Sequence, residues 1–281
     1  ALATFLPAFN LMLFRFSNVK HRGLLIGALY VAVPSLASIA GPVIGGALIH
    51  FFKFNTTFIF GIIALAVAFV FSLFVKHQPI TDRLEMPKNK LLLIFGAAIL
   101  IYGFTEISWI AYPLFLHKLT GGFLNMGIVA TILAAIIAVS ALIAGKVSEV
   151  EHRRIGFAAL NQIIWTGWLF ALVFISNVPQ LIFTSIVPGI AGAFAMMLFA
   201  LFGDFFERKH HALLVVLWEV FLNAGRLGNL IPIKIYFDQA VFNFSWYFIT
   251  IGIVSFMAVI PYALLYWLYH KKGIVTDSRQ A

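Results

Sequence analysis

The chain has no cysteine, which excludes disulfide scaffolds and thiolate metal sites. It is also poor in charge: only 10% of its 281 residues are Asp, Glu, Lys or Arg, against about 25% in ordinary globular domains. No Gly-rich phosphate loop ending in Lys-Ser/Thr occurs, so ATP hydrolysis by this chain has no support. A nucleophile elbow and a His-Glu-x-x-His pair are missing as well. The eight histidines are scattered over loops and span edges on both sides, without ligand spacing. An enzyme is therefore not expected, and neither a metal nor any other cofactor is implied.

What is present is apolar, at 62% of all residues. Eight runs of 20 to 26 residues carry almost no charge: Leu24–Ile49, Thr56–Val75, Leu91–Leu116, Phe123–Gly145, Ile155–Ile175, Leu181–Phe202, Ala212–Ile233 and Phe244–Tyr269. Each reaches the roughly 20 residues that a hydrocarbon core demands. An unclosed segment in lipid must satisfy its own backbone, so these runs predict helices. A barrel would need alternating ten-residue segments, and the runs do not alternate. The expected fold is all-α, a polytopic membrane helical bundle with the lipid bilayer as its surroundings.

The net charge of +9 does not signal nucleic acid, because of where the charge lies. Lys and Arg crowd into alternate connections: Arg15, Lys20 and Arg22; Lys76, Arg83, Lys88 and Lys90; Lys146, Arg153 and Arg154; Arg208 and Lys209; Lys271, Lys272 and Arg279. The opposite loops hold Lys53, Lys118 and Lys234. Positive loops stay inside, which puts the first set and the C-terminus in the cytoplasm. Ala1–Phe16 is too short to span; it reads as the tail of a helix arriving from outside, with an interfacial helix as the alternative.

Interior polar residues are the candidates for function. Ala212–Ile233 carries Glu219, Asn223 and Arg226 on one helical stripe. A charged group at mid-membrane costs about 2.5–3.5 kcal/mol on insertion scales, so the stripe is expected to face a wet cavity or another helix. Glu219 and Arg226 are about 10 Å apart along the axis, too far for one short pair, with Asn223 between them as a relay. Glu106 lies about fifteen residues into Leu91–Leu116, roughly 22 Å deep. If that run is one helix, Tyr102, Trp109 and Pro113 share its face. An acid there can act as a proton carrier or as the counter-charge of a solute, with the aromatic rings holding an apolar or cationic molecule. The alternative is a packing role in a charge network. Asn161 and Gln162 add further interior polarity. Pro188-Gly189-Ile190-Ala191-Gly192-Ala193 is expected to break Leu181–Phe202 near its middle, as a bending point or for close packing.

Small residues in Ala37-Ser38-Ile39-Ala40-Gly41-Pro42-Val43-Ile44-Gly45-Gly46 predict a groove along Ala37, Gly41 and Gly45 for a second helix. Gly41-Pro42 with Gly45-Gly46 resembles the fifth-helix motif of drug–proton antiporters in the major facilitator superfamily. Gly145-Lys146-Val147-Ser148-Glu149-Val150-Glu151-His152-Arg153-Arg154 is similar to that superfamily's cytoplasmic signature, with Glu149 in place of Asp and His152 in place of Gly. A faint internal echo, Lys20-His21-Arg22-Gly23-Leu24-Leu25 against Lys209-His210-His211-Ala212-Leu213-Leu214, agrees with two parallel bundles.

The resemblance implies a register in which Leu24–Ile49 is helix five and the last span helix twelve. Residues 1–75 are then the remainder of an N-terminal bundle, 76–90 a cytoplasmic linker, 91–270 a complete six-helix C-terminal bundle and 271–281 a tail. Helices one to three and most of four are expected to precede Ala1. The resemblance also implies a monomer in a plasma membrane of the bacterial inner-membrane kind. Its activity is expected to be secondary transport of a small-molecule solute by alternating access, coupled to a proton or another ion. Export of hydrophobic compounds is the leading expectation. Two alternatives are an uptake symporter for sugars, organic acids or peptides and a non-transporting membrane enzyme or assembly factor. Gly41, Pro42, Gly45, Gly46, Gly145, Glu149, Arg153 and Arg154 would serve gating and packing.

Overall fold

The computed structural model describes residues 9–13, 25, 28–29, 33–74, 91–107, 110–151, 154–192, 196–204, 210–237 and 242–271. Their regular structure is helical. In chain order the helices are α1 (Val33–Phe51), α2 (Phe54–Ser72), α3 (Leu91–Phe104), α4 (Ala111–Thr120), α5 (Phe123–Glu151), α6 (Arg154–Ala171, prolonged by a 3-10 turn Leu172–Phe174), α7 (Val178–Gly192), α8 (Met196–Asp204), α9 (His211–Phe237), α10 (Phe244–Met257) and α11 (Val259–Lys271). Each of the eight apolar runs contains at least one of them. Among the described residues, five helical stretches are long and apolar enough to cross a membrane, and three shorter apolar helices accompany them. The chain is an all-α membrane bundle. The expected linker, residues 76–90, lies outside the described residues.

Three of the runs hold more than one helix, and two of these are interrupted at described residues. Leu91–Leu116 stops at Phe104 and restarts at Ala111, and Phe244–Tyr269 pauses at Ala258. Proline explains both. A proline has no N–H to donate and is accommodated within a helix's first turn. Pro113 is the third residue of α4 and Pro261 the third of α11, so each helix restarts just ahead of its proline. Glu106 consequently sits in the break and not on a continuous helix that runs on to Pro113, while Trp109 lies outside the described residues. In Leu181–Phe202, α7 runs through Pro188 and ends at Gly192, α8 begins at Met196, and residues 193–195 lie outside the described residues.

The buried side chains form two apolar clusters. One gathers Phe95, Ile99, Ala158, Phe199, Phe202, Leu214, Trp218, Leu222 and Leu265. The other gathers Ile107, Phe115, Trp168, Leu169, Leu181, Tyr247, Phe248 and Ile251. Along each shared helix, polar residues fall between the two. On α6, Asn161, Gln162 and Thr166 separate Ala158 from Trp168; on α10, Ser255 separates Ile251 from Ala258. Gln162 Nε2 donates to Ser255 Oγ at 2.8 Å, and the hydroxyls of Thr166 and Ser255 are 2.7 Å apart. The bundle is layered, apolar above and below a polar belt.

α1 packs along α5. The close approach is made by Pro42 and Gly46, not by the expected groove of Gly41 and Gly45. A Cβ on Gly46 would meet the Phe123 carbonyl oxygen at 2.5 Å, and one on Gly127 would meet the Pro42 carbonyl, whereas nothing lies within 4 Å of a Cβ at Gly41 or Gly45. Glycines 41 and 45 lie away from this contact because 46 and 42, one turn apart, already occupy the face toward α5. Thr131 Oγ1 donates to the Ile39 carbonyl across the same interface at 2.6 Å. Thr131→Val is expected to lower stability by only about 0.6 kcal/mol, the mean for such bonds in lipid, as a small downward shift in a detergent thermal melt. α2 buries none of its residues.

Candidate functional site

The site begins at the crossing of α3 and α9. A Cβ on Gly103 would strike the Leu222 backbone, and one on Gly225 the backbone of Leu100, Gly103 and Phe104. These two glycines let the helix axes come within backbone contact. One turn past Gly103 and one residue past Gly225 stand Glu106 and Arg226. The Arg226 Nε–H donates to Glu106 Oε2 at 2.7 Å, and the two side chains are 24% and 19% exposed. This ion pair is a product of the crossing.

The break after Phe104 frees a carbonyl, and the Asn229 side chain takes it: Nδ2 donates to Phe104 O. Asn229 Oδ1 in turn accepts from the Tyr247 hydroxyl at 2.9 Å. Buried backbone oxygen left without a donor would be costly, so this clasp makes the interruption sustainable. It ties α3, α9 and α10 together beside Glu106.

From Arg226 a chain of polar contacts leads away from the cavity. Its Nη1 donates to Asn223 Oδ1 at 3.2 Å. Asn223 Nδ2 reaches Glu219, at 2.8 Å to the main-chain carbonyl and 3.4 Å to Oε2. The far carboxylate oxygen of Glu219 accepts from Asn10 Nδ2 at 3.1 Å. Glu106, Arg226, Asn223 and Glu219 are therefore brought together, and Asn10 joins them. Asn10 is fully buried in the helical turn of residues 9–13.

On its other side Glu106 lines a cavity of about 250 Å³. Tyr102, Ile107, Tyr112, Leu133, Ile137, Asn161, Trp165, Trp168, Ser185, Pro188 and Gly189 complete the wall. Trp165 and Trp168 stand one helical turn apart on α6 with ring centroids 4.9 Å apart, and Tyr112 is 5.5 Å from Trp168. Trp168 is buried, yet its indole N–H has no hydrogen-bond partner among the described residues. Among the described residues, Glu106 is the one charged group in this lining. The chemistry on offer is one carboxylate, a row of aromatic faces and a spare donor. A second cavity of about 510 Å³ lies between Phe115 and Phe244 and holds none of the polar residues singled out in the sequence.

Of the aromatic wall the sequence reading named Tyr102 but not Tyr112, Trp165 or Trp168, and it also missed Asn10, Asn229, Gly103 and Gly225. Trp165 and Trp168 look like ordinary span residues until Glu106 is seen opposite them. Gly145 and Glu149 lie within α5, which continues to Glu151. Arg154 opens α6. Arg153, together with the side chains of Glu149 and Arg154, lies outside the described residues.

The chain matches the family model described as Major Facilitator Superfamily over residues 1–91 and 94–280. No curated protein matches it. A helical membrane bundle with a polar belt, matched over nearly its whole length, admits one conclusion: this chain belongs to the major facilitator superfamily and is a secondary membrane transporter.

Proposed function

We propose that the chain exports hydrophobic compounds in exchange for protons, by alternating access. The observation that carries this reading is the double engagement of Glu106: it lines the aromatic cavity and also holds Arg226 at 2.7 Å. Such a carboxylate can answer to a proton, to a solute or to the guanidinium, but not fully to all three at once. Proton uptake on Glu106 would release Arg226 toward Asn223, and the change would reach Asn10 through Glu219. A proton moving down 100 mV supplies about 2.3 kcal/mol, enough for roughly a fiftyfold solute gradient.

The test is reconstitution of the full chain in vesicles with an imposed pH gradient and a panel of lipophilic solutes. The expected result is solute movement opposite to the proton, lost at least about tenfold in Glu106→Gln. Retention of gradient-driven flux by Glu106→Gln would remove the carrier role from this acid. Solute movement in the same direction as the proton would make the chain a symporter.

A further inference from the structure

We infer that the cavity beside Glu106 binds a compact organic cation bearing a single charge, which takes the carboxylate over from Arg226. The inference deepens the export reading and rests on it for the claim that this cavity receives the solute. Three observations support the cation. Among the described residues, the one charged group in the wall is an acid. Trp165, Trp168 and Tyr112 line the same cavity as a tilted row of rings, a residue type whose π-electron density attracts positive charge. Arg226, itself a cation, occupies one oxygen of the same carboxylate, so the carboxylate is already placed to hold a positive group.

Size follows from volume. A cavity of about 150 Å³ takes benzene, so roughly 25 Å³ serves each heavy atom. The 250 Å³ beside Glu106 then holds about ten heavy atoms. One acid neutralises one charge, and a second positive centre would be left unpaired in a low-dielectric wall.

Arg226 is the built-in competitor. A cation arriving from the cavity must share or displace it, and Asn223 Oδ1, 3.2 Å from Nη1, offers the guanidinium an alternative partner. Removing the arginine should therefore strengthen cation binding, the opposite of what a solute-binding arginine would show.

The experiment is equilibrium binding of radiolabelled phenyltrimethylammonium to the purified full chain in nanodiscs, without any gradient. tert-Butylbenzene, the same shape with carbon in place of the charged nitrogen, is the neutral competitor; tetraphenylphosphonium is the oversized one. The cation should bind at least about tenfold more tightly than its neutral twin, and the oversized cation should compete poorly. Trp168→Leu and Glu106→Gln should weaken binding about tenfold or more, while Arg226→Gln, checked for monodispersity, should tighten it several-fold. Equal competition by tert-butylbenzene overturns the inference on the wild-type chain alone, whatever the variants do. So does unchanged or weaker binding in a monodisperse Arg226→Gln. Cation binding without gradient-driven flux would sink the export reading and leave this site standing; flux of neutral solutes without cation preference would do the reverse.

Discussion

Alanine at Gly225 or Gly103 is expected to cost about 3 kcal/mol or more, and to lower the melting temperature by on the order of 10 °C. The new methyl group at Gly225 would sit 2.7 Å from Phe104 N and 3.0 Å from Gly103 C, and closer still to the Leu100 carbonyl oxygen. At Gly103 it would meet Leu222 C at 3.0 Å and the carbonyl oxygen of the same residue. Both obstacles are backbone, so no side chain can turn aside. The helices must separate instead, and Ile99 and Leu222, packed in the same core cluster, lose contact. Separation also draws Arg226 away from Glu106, since each lies within a turn of its glycine. Gly41→Ala is the control: nothing lies within 4 Å of its added carbon, and alanine is the better helix former by about 1 kcal/mol. Size-exclusion profiles and thermal melts of the three variants in detergent decide the matter. A Gly225→Ala protein that melts with the wild type would mean that α3 and α9 do not cross at backbone contact.

Fold class was legible because it rests on quantities that run along the chain. Length and apolarity of the eight runs settle helices in lipid, and the stripe of Glu219, Asn223 and Arg226 is a matter of helical spacing. Partnership is not written that way. Glu106 looked like a residue on a helical face because the whole of Leu91–Leu116 is long enough to read as one span; the polar dip at Thr105, Glu106 and Ser108, followed by Pro113, was the local sign of a restart. Gly41, Gly45 and Gly46 are equivalent as letters, and only the position of α5 distinguishes the glycine that matters. The aromatic wall was hidden for a similar reason. Trp165 and Trp168 lie one turn apart in a span rich in large side chains, and nothing in α6 announces that an acid from another helix faces them. Asn10 sits in a stretch too short to read as a span, over 200 positions from the carboxylate it serves. Hydropathy finds elements; the site is made by contacts between distant ones.

Breaking the Glu106–Arg226 pair one residue at a time should be more damaging than removing it whole. Arg226→Gln leaves a carboxylate at mid-bundle whose strongest counter-charge has gone, and Glu106→Gln leaves a guanidinium in the same position. Loss of one partner from a buried pair costs about 3–5 kcal/mol, mostly the expense of the stranded charge. With side chains 24% and 19% exposed, this pair belongs at the lower end of that range. The double variant Glu106→Gln/Arg226→Gln removes both charges of the pair, leaving Glu219 as the remaining charge of the network, and two amides can still hydrogen-bond. Its stability should therefore exceed the sum of the single losses by roughly 2 kcal/mol, measured as a double-mutant cycle on thermal unfolding. Strict additivity would show that the two groups do not act on each other. Function should divide from stability in the same protein, for a neutral pair can pack the crossing but has no charge to pass between proton, solute and guanidinium. A double variant that is well folded yet silent in gradient-driven flux would place the pair's purpose in transport; one that transports as the wild type does would reduce it to a brace between α3 and α9.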